Sequence, residues 1–347
     1  MNILYLQEIL NRKEEIKVIG KTVEIDNVIC NVMGIVRHGM ELRIIILLYD
    51  ESYEQQIGEM EAAELCYPRD AGSNRILIRN NRRIDAVNPF RSVLKVFIGD
   101  REFTVNGTEH RRLNPQDWDN ILLITKFLNN GWKQSELDYK SIDMLFFAIL
   151  KLEGDYDSIP DFNDDTKIRF KMGQYSTEHQ VEMPVTLEVG DDYPDRLTFR
   201  DATTGSEHWI QINRVYLADM WEEAEKTFTD PRILEHMSSE KIAQARSSFE
   251  KHFAEICPRG MCFPVIEYEC EEDMSVQFYS KSFLDSKPSL RNSTIGFILR
   301  PDRPTGILGL KLKAAVIQDP VPPDTMKIEA ELFQYVKIVT SDDIVLM

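Results

Sequence analysis

The spacing of apolar side chains divides this chain into stretches of period two and stretches of period near 3.6. Ile3, Leu6 and Leu10 fall on one face of a short helix over residues 2–13. From Lys17 to Tyr49 the pattern is that of strands. Val23 and Ile25 alternate with polar neighbours, Val28, Ile29 and Cys30 run together, and Ile44 to Leu48 form an unbroken apolar run suited to a buried central strand. Residues 50–65, rich in Glu, Gln and Ala, predict a helix. Arg75–Arg79 and Val93–Ile98 read as strands, and Gly99-Asp100 turns the second into a hairpin with Glu102–Val105. Asn114, followed by Pro115, is placed to start a helix with Trp118, Ile121, Leu122 and Thr125 on one face. Asn130-Gly131 is a left-handed stop for it. A second helix is expected over Ser141–Leu152, buried because Met144–Leu150 is apolar throughout.

Glu153–Asp165 is crowded with turn formers and acidic or Asn side chains and is the best linker candidate. Strands are expected at Lys167–Lys171, Val185–Val189, Arg196–Arg200 and Trp209–Ile212. Leu217, Met220, Trp221, Ala224 and Phe228 form one helical stripe. Asp230-Pro231 breaks the chain, and Ile242, Ala245, Phe249 and Phe253 form another stripe, capped by Ser238 or Ser239. The last ninety residues alternate most cleanly, at Leu308 to Val316 and at Ile328 to Leu332. An antiparallel pairing of these two segments would set Lys311 and Lys313 opposite Glu329 and Glu331, with Asp319–Asp324 looping out because proline cannot donate to a ladder. A hairpin, a Gly-(Ser/Thr)-Glu-His stretch and a Trp-bearing helix occur in the same order at residues 93–118 and 185–221, with different spacings. Chance similarity of generic ββα units accounts for that.

The 347 residues suffice for two or three domains, and 43% hydrophobic content suffices for a substantial core. The resulting fold class is α+β, with mixed or antiparallel sheets packed by amphipathic helices in two domains. Residues 1–152 form the first, 153–165 an acidic linker and 166–347 the second. The longest apolar run is seven residues, against roughly 20 for a membrane span. The first residues lack the order of charge, apolar block and small residues of a secretory signal. Five cysteines, an odd and sparse set, do not make a disulfide framework. These features point to the cytoplasm.

Charge changes the picture most. The chain carries −17 overall, yet residues 69–112 hold ten Lys and Arg against five acids. The next stretch, 113–165, holds four lysines and eleven acids. The acidic balance disfavours general binding to nucleic acid, although the basic island, with Arg75, Arg79, Arg82 and Arg83, keeps a local exception open.

Candidate chemistry is sparse. Glu109-His110, Glu178-His179 and Glu207-His208 suggest imidazoles oriented by carboxylates, but neighbours on a strand point to opposite faces, so each histidine is read as structural. Cys257, Cys262 and Cys270, with His252, lack the close pair of a structural zinc site. Cys257 follows a helix, where no dipole activates it. Glu267, Glu269 and Glu271 alternate on one strand face, a pattern that either binds a divalent cation or is the wet side of the strand. The 155–166 stretch has Pro160 and Thr166 where a calcium loop needs Gly and Glu. Phosphate-binding and nucleophile-elbow signatures are absent. The expectation is therefore a non-enzymatic interaction module, an adaptor, assembly subunit or inhibitor, that binds another protein through charged surface with salt-sensitive affinity. The alternative is a metal-dependent hydrolase that uses Glu267, Glu269 and Glu271 on an anionic substrate held by arginines such as Arg79 and Arg82.

Overall fold

The computed structural model describes residues 15–38, 40–64, 72–80, 86–133, 136–160, 162–163, 165–201, 204–288 and 301–346. The helix expected over residues 2–13 lies outside them. In chain order the elements are β1 (Glu15–Ile25), β2 (Val28–His38), β3 (Glu41–Asp50), α1 (Glu51–Glu64), α2 (Asn74–Asn80), β4 (Val93–Ile98), β5 (Arg101–Arg112), α3 (Trp118–Asn129), β6 (Leu145–Glu153), β7 (Ile168–Met172), β8 (Gln174–Glu188), β9 (Leu197–Arg200), β10 (Glu207–Ala218), α4 (Met220–Phe228), α5 (Pro231–His236), α6 (Ser239–Ile256), β11 (Phe263–Cys270), β12 (Met274–Ser280), α7 (Lys281–Asp285), β13 (Lys313–Val316), β14 (Lys327–Thr340) and β15 (Ile344–Leu346). Strands outweigh helices, so the fold is mostly antiparallel sheet rather than a balanced α+β arrangement.

The chain falls into two compact units. One comprises residues 1–69, 83–175 and 340–347; the other comprises 70–82 and 176–339.

The first unit is built on an eight-stranded sheet of order β1-β2-β3-β6-β5-β4-β7-β15, antiparallel at every pairing. Both faces of its centre are buried. In β3 and β6, Ile44, Ile46, Leu48, Phe146, Ala148 and Leu150 point to one core, while Ile45, Leu47, Phe147 and Ile149 point to the other. This corrects the helix expected over Ser141–Leu152. A seven-residue apolar run is too short for a buried helix, and a central strand covered on both faces has no polar position to break the run.

Helix α3 covers the second core with Leu123, Ile124 and Phe127. Its cap is Asp117 rather than Asn114. Asn114 instead makes a turn one step earlier, its Oδ1 accepting from Gln116 N at 2.8 Å, and Trp118 is left half-exposed. Asn130 and Gly131, the latter at φ +86°, close the helix as expected. In β2, Gly34 sits at φ +155° beside a register shift between β1 and β2. A Cβ there would lie 2.9 Å from the Phe127 ring and closer still to the Lys17 carbonyl, so only glycine fits.

Residues 153–165 lie inside this unit, between β6 and β7 of one sheet. Ile159 is buried, and Tyr156 and Phe162 pack on the core. Lys17 Nζ donates to the Ile159 carbonyl at 2.6 Å and Lys21 Nζ to the Thr166 carbonyl at 2.7 Å. The acidic stretch is thereby fastened to β1.

The second unit has a four-stranded sheet, β13-β11-β10-β9, and a three-stranded sheet, β12-β14-β8. They share one core, with Ile210, Ile212, Ile266 and Tyr268 from the first and Val276, Phe278, Leu332 and Tyr335 from the second. The expected pairing of Leu308–Val316 with Ile328–Leu332 is therefore wrong, because β13 pairs with β11 and β14 with β12. Only Lys313–Val316 of the first segment is a strand, the residues before it forming a loop, and alternation does not name a strand's partner. Helices α4 and α6 pack together through Trp221, Phe249 and Phe253. Ser238 caps α6, its Oγ accepting from Lys241 N. Leu217, expected on the α4 stripe, belongs to β10.

The two repeat-like segments differ in structure. Gly107–His110 lies within β5, whereas Gly205–His208 turns into a further strand, β10, before its helix.

Candidate functional site

Arg75 and Arg79 are four residues apart on α2, not on a strand, and both reach carboxylates of the second unit. Arg75 forks onto Glu331, with one nitrogen donating to Oε1 at 2.6 Å, and also meets Asp285 at 3.2 Å. Arg79 forks onto Glu182, its Nε donating to Oε1 at 2.6 Å. The Glu331 hydrogen bonds, followed by those to Asp285, hold the Arg75 guanidinium more firmly charged than usual. Glu182 adopts φ +55°, a left-handed conformation inside a strand that non-glycine residues rarely take. Arg82 and Arg83 lie outside the described residues.

The three glutamates diverge. β11 is buried along its whole length, so the wet-side expectation fails for Glu267 and Glu269. Glu267 accepts a two-point contact from Arg214, at 3.1 Å from Nε and 2.9 Å from an η-nitrogen. Glu269, fully buried, accepts from Asn213 Nδ2 at 3.0 Å, Leu308 N at 3.0 Å and Leu310 N at 2.8 Å. Glu271, beyond the strand end, turns to His208 instead. Each carboxylate is committed to a different partner, and no common centre forms. Among the described residues no group of three metal-ligating side chains converges.

The Glu269 contacts build something the sequence does not announce. Asn213 Oδ1 also accepts from Ile307 N at 2.8 Å. The loop Pro304–Leu312 closes on itself through Gly306 N to the Leu310 carbonyl at 3.0 Å and Leu312 N to the Pro304 carbonyl at 3.1 Å. A Cβ on Gly306 would strike the Glu269 carboxylate and come within 2.6 Å of Asn213 Oδ1. Two buried polar side chains thus grip the loop from below. Above, it exposes Ile307 (63%), Leu308 (38%) and Leu310 (40%) to solvent.

The histidines also find partners, though not their neighbours in sequence. His208 is buried, its Nδ1 3.0 Å from Glu271 Oε1 and its Nε2 3.3 Å from the Tyr335 hydroxyl. That hydroxyl also contacts Asp201 Oδ2, which is 2.8 Å from His179 Nδ1. His179 stacks on the Tyr335 ring at 4.6 Å. Asp201 is nearly fully buried and its Oδ1 accepts from Thr204 N at 2.7 Å. Burial, then the Asp201 contact, pushes the Tyr335 phenol well above its usual range. His179 and His208 stand out in the sequence, but not with these partners, which lie 22 residues or more away along the chain. In the first unit, as expected, Glu109 and His110 part: Glu109 pairs with Lys151 at 2.7 Å and His110 stacks on Phe146.

The cysteines do not gather with His252. Cys270 Sγ donates to the Met274 carbonyl at 3.1 Å, Cys257 is buried beside α6, and His252 Nδ1 contacts the Ser248 carbonyl at 2.7 Å. Lys313 does not pair with Glu331. Its Nζ donates to the Glu271 carbonyl at 2.7 Å and the Glu272 carbonyl at 3.0 Å, tying down the turn between β11 and β12.

Among the described residues no helix is long and apolar enough to cross a membrane. Compared with protein families, curated proteins and solved structures, the chain matches none.

Proposed function

We propose that this protein is a non-enzymatic binding module, an adaptor, assembly subunit or inhibitor of another protein, and that the Pro304–Leu312 loop is its contact point. The loop that exposes three large aliphatic side chains on a base of buried hydrogen bonds carries this reading. A loop ordered before binding loses little conformational freedom on association, so its apolar contacts are realised as affinity. The buried centre of a protein contact is more apolar than its rim, and three aliphatic side chains on one loop would supply such a centre. The net charge of −17 adds long-range attraction for a basic partner.

Metal-dependent hydrolysis by Glu267, Glu269 and Glu271 would require all three to turn toward one ion, and each would first have to give up its present partner. A nucleic acid grip by Arg75 and Arg79 would likewise compete with Glu331 and Glu182.

The test is the double variant Ile307→Asp, Leu310→Asp, purified in parallel with the natural chain from the same cells. The natural chain should retain a stoichiometric protein partner that the variant loses, with circular dichroism and melting temperature unchanged. The same bound proteins on both chains would exclude the loop as the contact.

A further inference from the structure

In the second unit the chain leaves α6 at Cys257 and enters β11 at Phe263 through one tight turn. Met261 N donates to the Pro258 carbonyl at 3.1 Å and closes the turn. Gly260 takes φ +84° at its third position, which calls for the left-handed region. Cys257 and Cys262 stand one residue beyond either end. Both have extended backbone, Cys257 at φ −132° and ψ 100°, Cys262 through its antiparallel bridge to Val321 with 2.8 Å hydrogen bonds in both directions. Extended residues that flank a turn in this way face each other, with side chains on one side and Cα atoms about 4.5–5.5 Å apart. A disulfide spans Cα separations of about 4.4–6.8 Å. The Cys257 side chain is turned the right way for one. Its Sγ is 3.5 Å from the Met261 carbonyl, which is joined directly to the Cys262 nitrogen.

We propose that Cys257 and Cys262 are a reversible disulfide pair, a redox modification site entered at Cys262 and closed by Cys257. Burial divides the steps between the two thiols. Cys257 is wholly buried and Cys262 half-exposed, so a small external disulfide such as oxidised glutathione reaches Cys262 first. The Cys262 thiolate attacks one sulfur of that disulfide, its S–S bond breaks, and one glutathione leaves as a thiolate. The Cys257 thiolate then attacks the Cys262 sulfur, the mixed bond breaks, and the second glutathione leaves. Two protein thiols are oxidised to one disulfide, and one glutathione disulfide is reduced to two thiols, which take up the two protons. The second step needs no solvent access at Cys257, because its target is the residue across the turn.

The surroundings hold the two thiols opposed. The turn leans on α4, where Trp221 Nε1 donates to the Cys257 carbonyl at 3.1 Å and the Arg259 guanidinium lies over the Trp221 ring at 4.3 Å. Burial, followed by the nearby Cys262 sulfur and Asp219, pushes Cys257 up to about 11, and burial, then Asp219, raises Cys262. Exchange at this site is therefore slow near neutrality and faster in mild alkali, since only the thiolate attacks. Cys270 is differently engaged, its Sγ donating to the Met274 carbonyl at 3.1 Å and lying 3.3 Å from Lys313 Nζ. One bond entered through a half-exposed thiol is unlike the multi-bond frameworks of small secreted domains, so an odd cysteine count does not oppose it. This inference does not depend on the partner-binding loop.

The experiment exposes the reduced, folded full chain to oxidised glutathione at pH 8, blocks the remaining thiols and maps the tryptic peptides by mass. Trypsin cuts after Arg259, between the two cysteines, so a bond between them joins peptide 252–259 to peptide 260–281. Fragmentation separates Cys262 from Cys270 within the second peptide. The natural chain should lose two thiols, at Cys257 and Cys262, with the linked peptide as the main product, and dithiothreitol should restore both. Cys257→Ser should stop at one glutathione on Cys262, and Cys262→Ser should leave Cys257 unmodified. Should either variant fail to fold, the natural chain's map decides alone. Glutathione remaining on Cys262 without a linked peptide, a bond from either thiol to Cys270, or both thiols still free would each overturn the proposal.

Discussion

At the scale of the residue, the arginines and glutamates singled out in the sequence are engaged wherever the structure describes them. Arg75 sits between Glu331 and Asp285, and Glu331 is almost fully covered. Arg75→Ala strands that carboxylate and should destabilise the protein by about 1–3 kcal/mol in urea unfolding. Arg37→Ala, which breaks an exposed pair with Glu15, should stay within about 1 kcal/mol. Equal effects would show that the α2 contacts carry no special weight. Burial acts similarly on the thiols. It pushes Cys30 up to about 12 and Cys257 up to about 11, with smaller rises at Cys262 and Cys270. A thiol held neutral in the native state contributes stability that is fully present below its unfolded value and is lost as pH rises through the folded one. For Cys30 that window runs from about pH 9 to about 12. Native alkylation at pH 8 should therefore label half-exposed Cys262 before Cys30, Cys257 or Cys270. Labelling of Cys30 as fast as Cys262 would contradict the burial described.

At the scale of the element, β3 and β6 are the most deeply covered strands of the first unit. Leu150→Ala, at a fully buried position of β6, should cost about 2–5 kcal/mol. Amides of residues 145–152 should exchange more slowly than those of α4 and α6, which are largely solvent-facing. Rapid exchange across β6 would rule out its central place. Strand positions were legible where alternation is flanked by a turn signal, as in Val93–Val105 and the β1–β3 run, whereas the alternation over Leu308–Leu312 misled, because those residues form a loop. Legibility failed at two further points for physical reasons. Met144–Leu150 carries no periodicity because both of its faces are buried, and Arg75-Ile-Leu-Ile-Arg79 is too short to separate periods of two and 3.6. Pairing across long separations, as between β11 and β13, left no local mark. The candidate site was hidden for the same reason. Glu269 and Asn213 are 56 residues apart, and Gly306 explains its own identity only once they are beneath it. Gly306→Ala should displace the loop and cost about 1–3 kcal/mol through overpacking. An unaltered melting temperature would mean that the loop is not held as described.

At the scale of the whole molecule, an acidic chain presents an apolar loop held from beneath by Glu269 and Asn213. Such a combination divides the work of recognition. In the proposed role, the long-range field would set how fast a basic partner arrives and the aliphatic tip how long it stays. Raising salt should slow association with little effect on dissociation, whereas aspartate at Ile307 and Leu310 should speed dissociation. The most direct measurement is the kinetics of the isolated complex, natural chain against Ile307→Asp, Leu310→Asp, at two salt concentrations. Dissociation should be at least about tenfold faster for the variant at both salts, with the same proportional fall in association rate for both chains as salt rises. Equal dissociation rates for the two chains would contradict it.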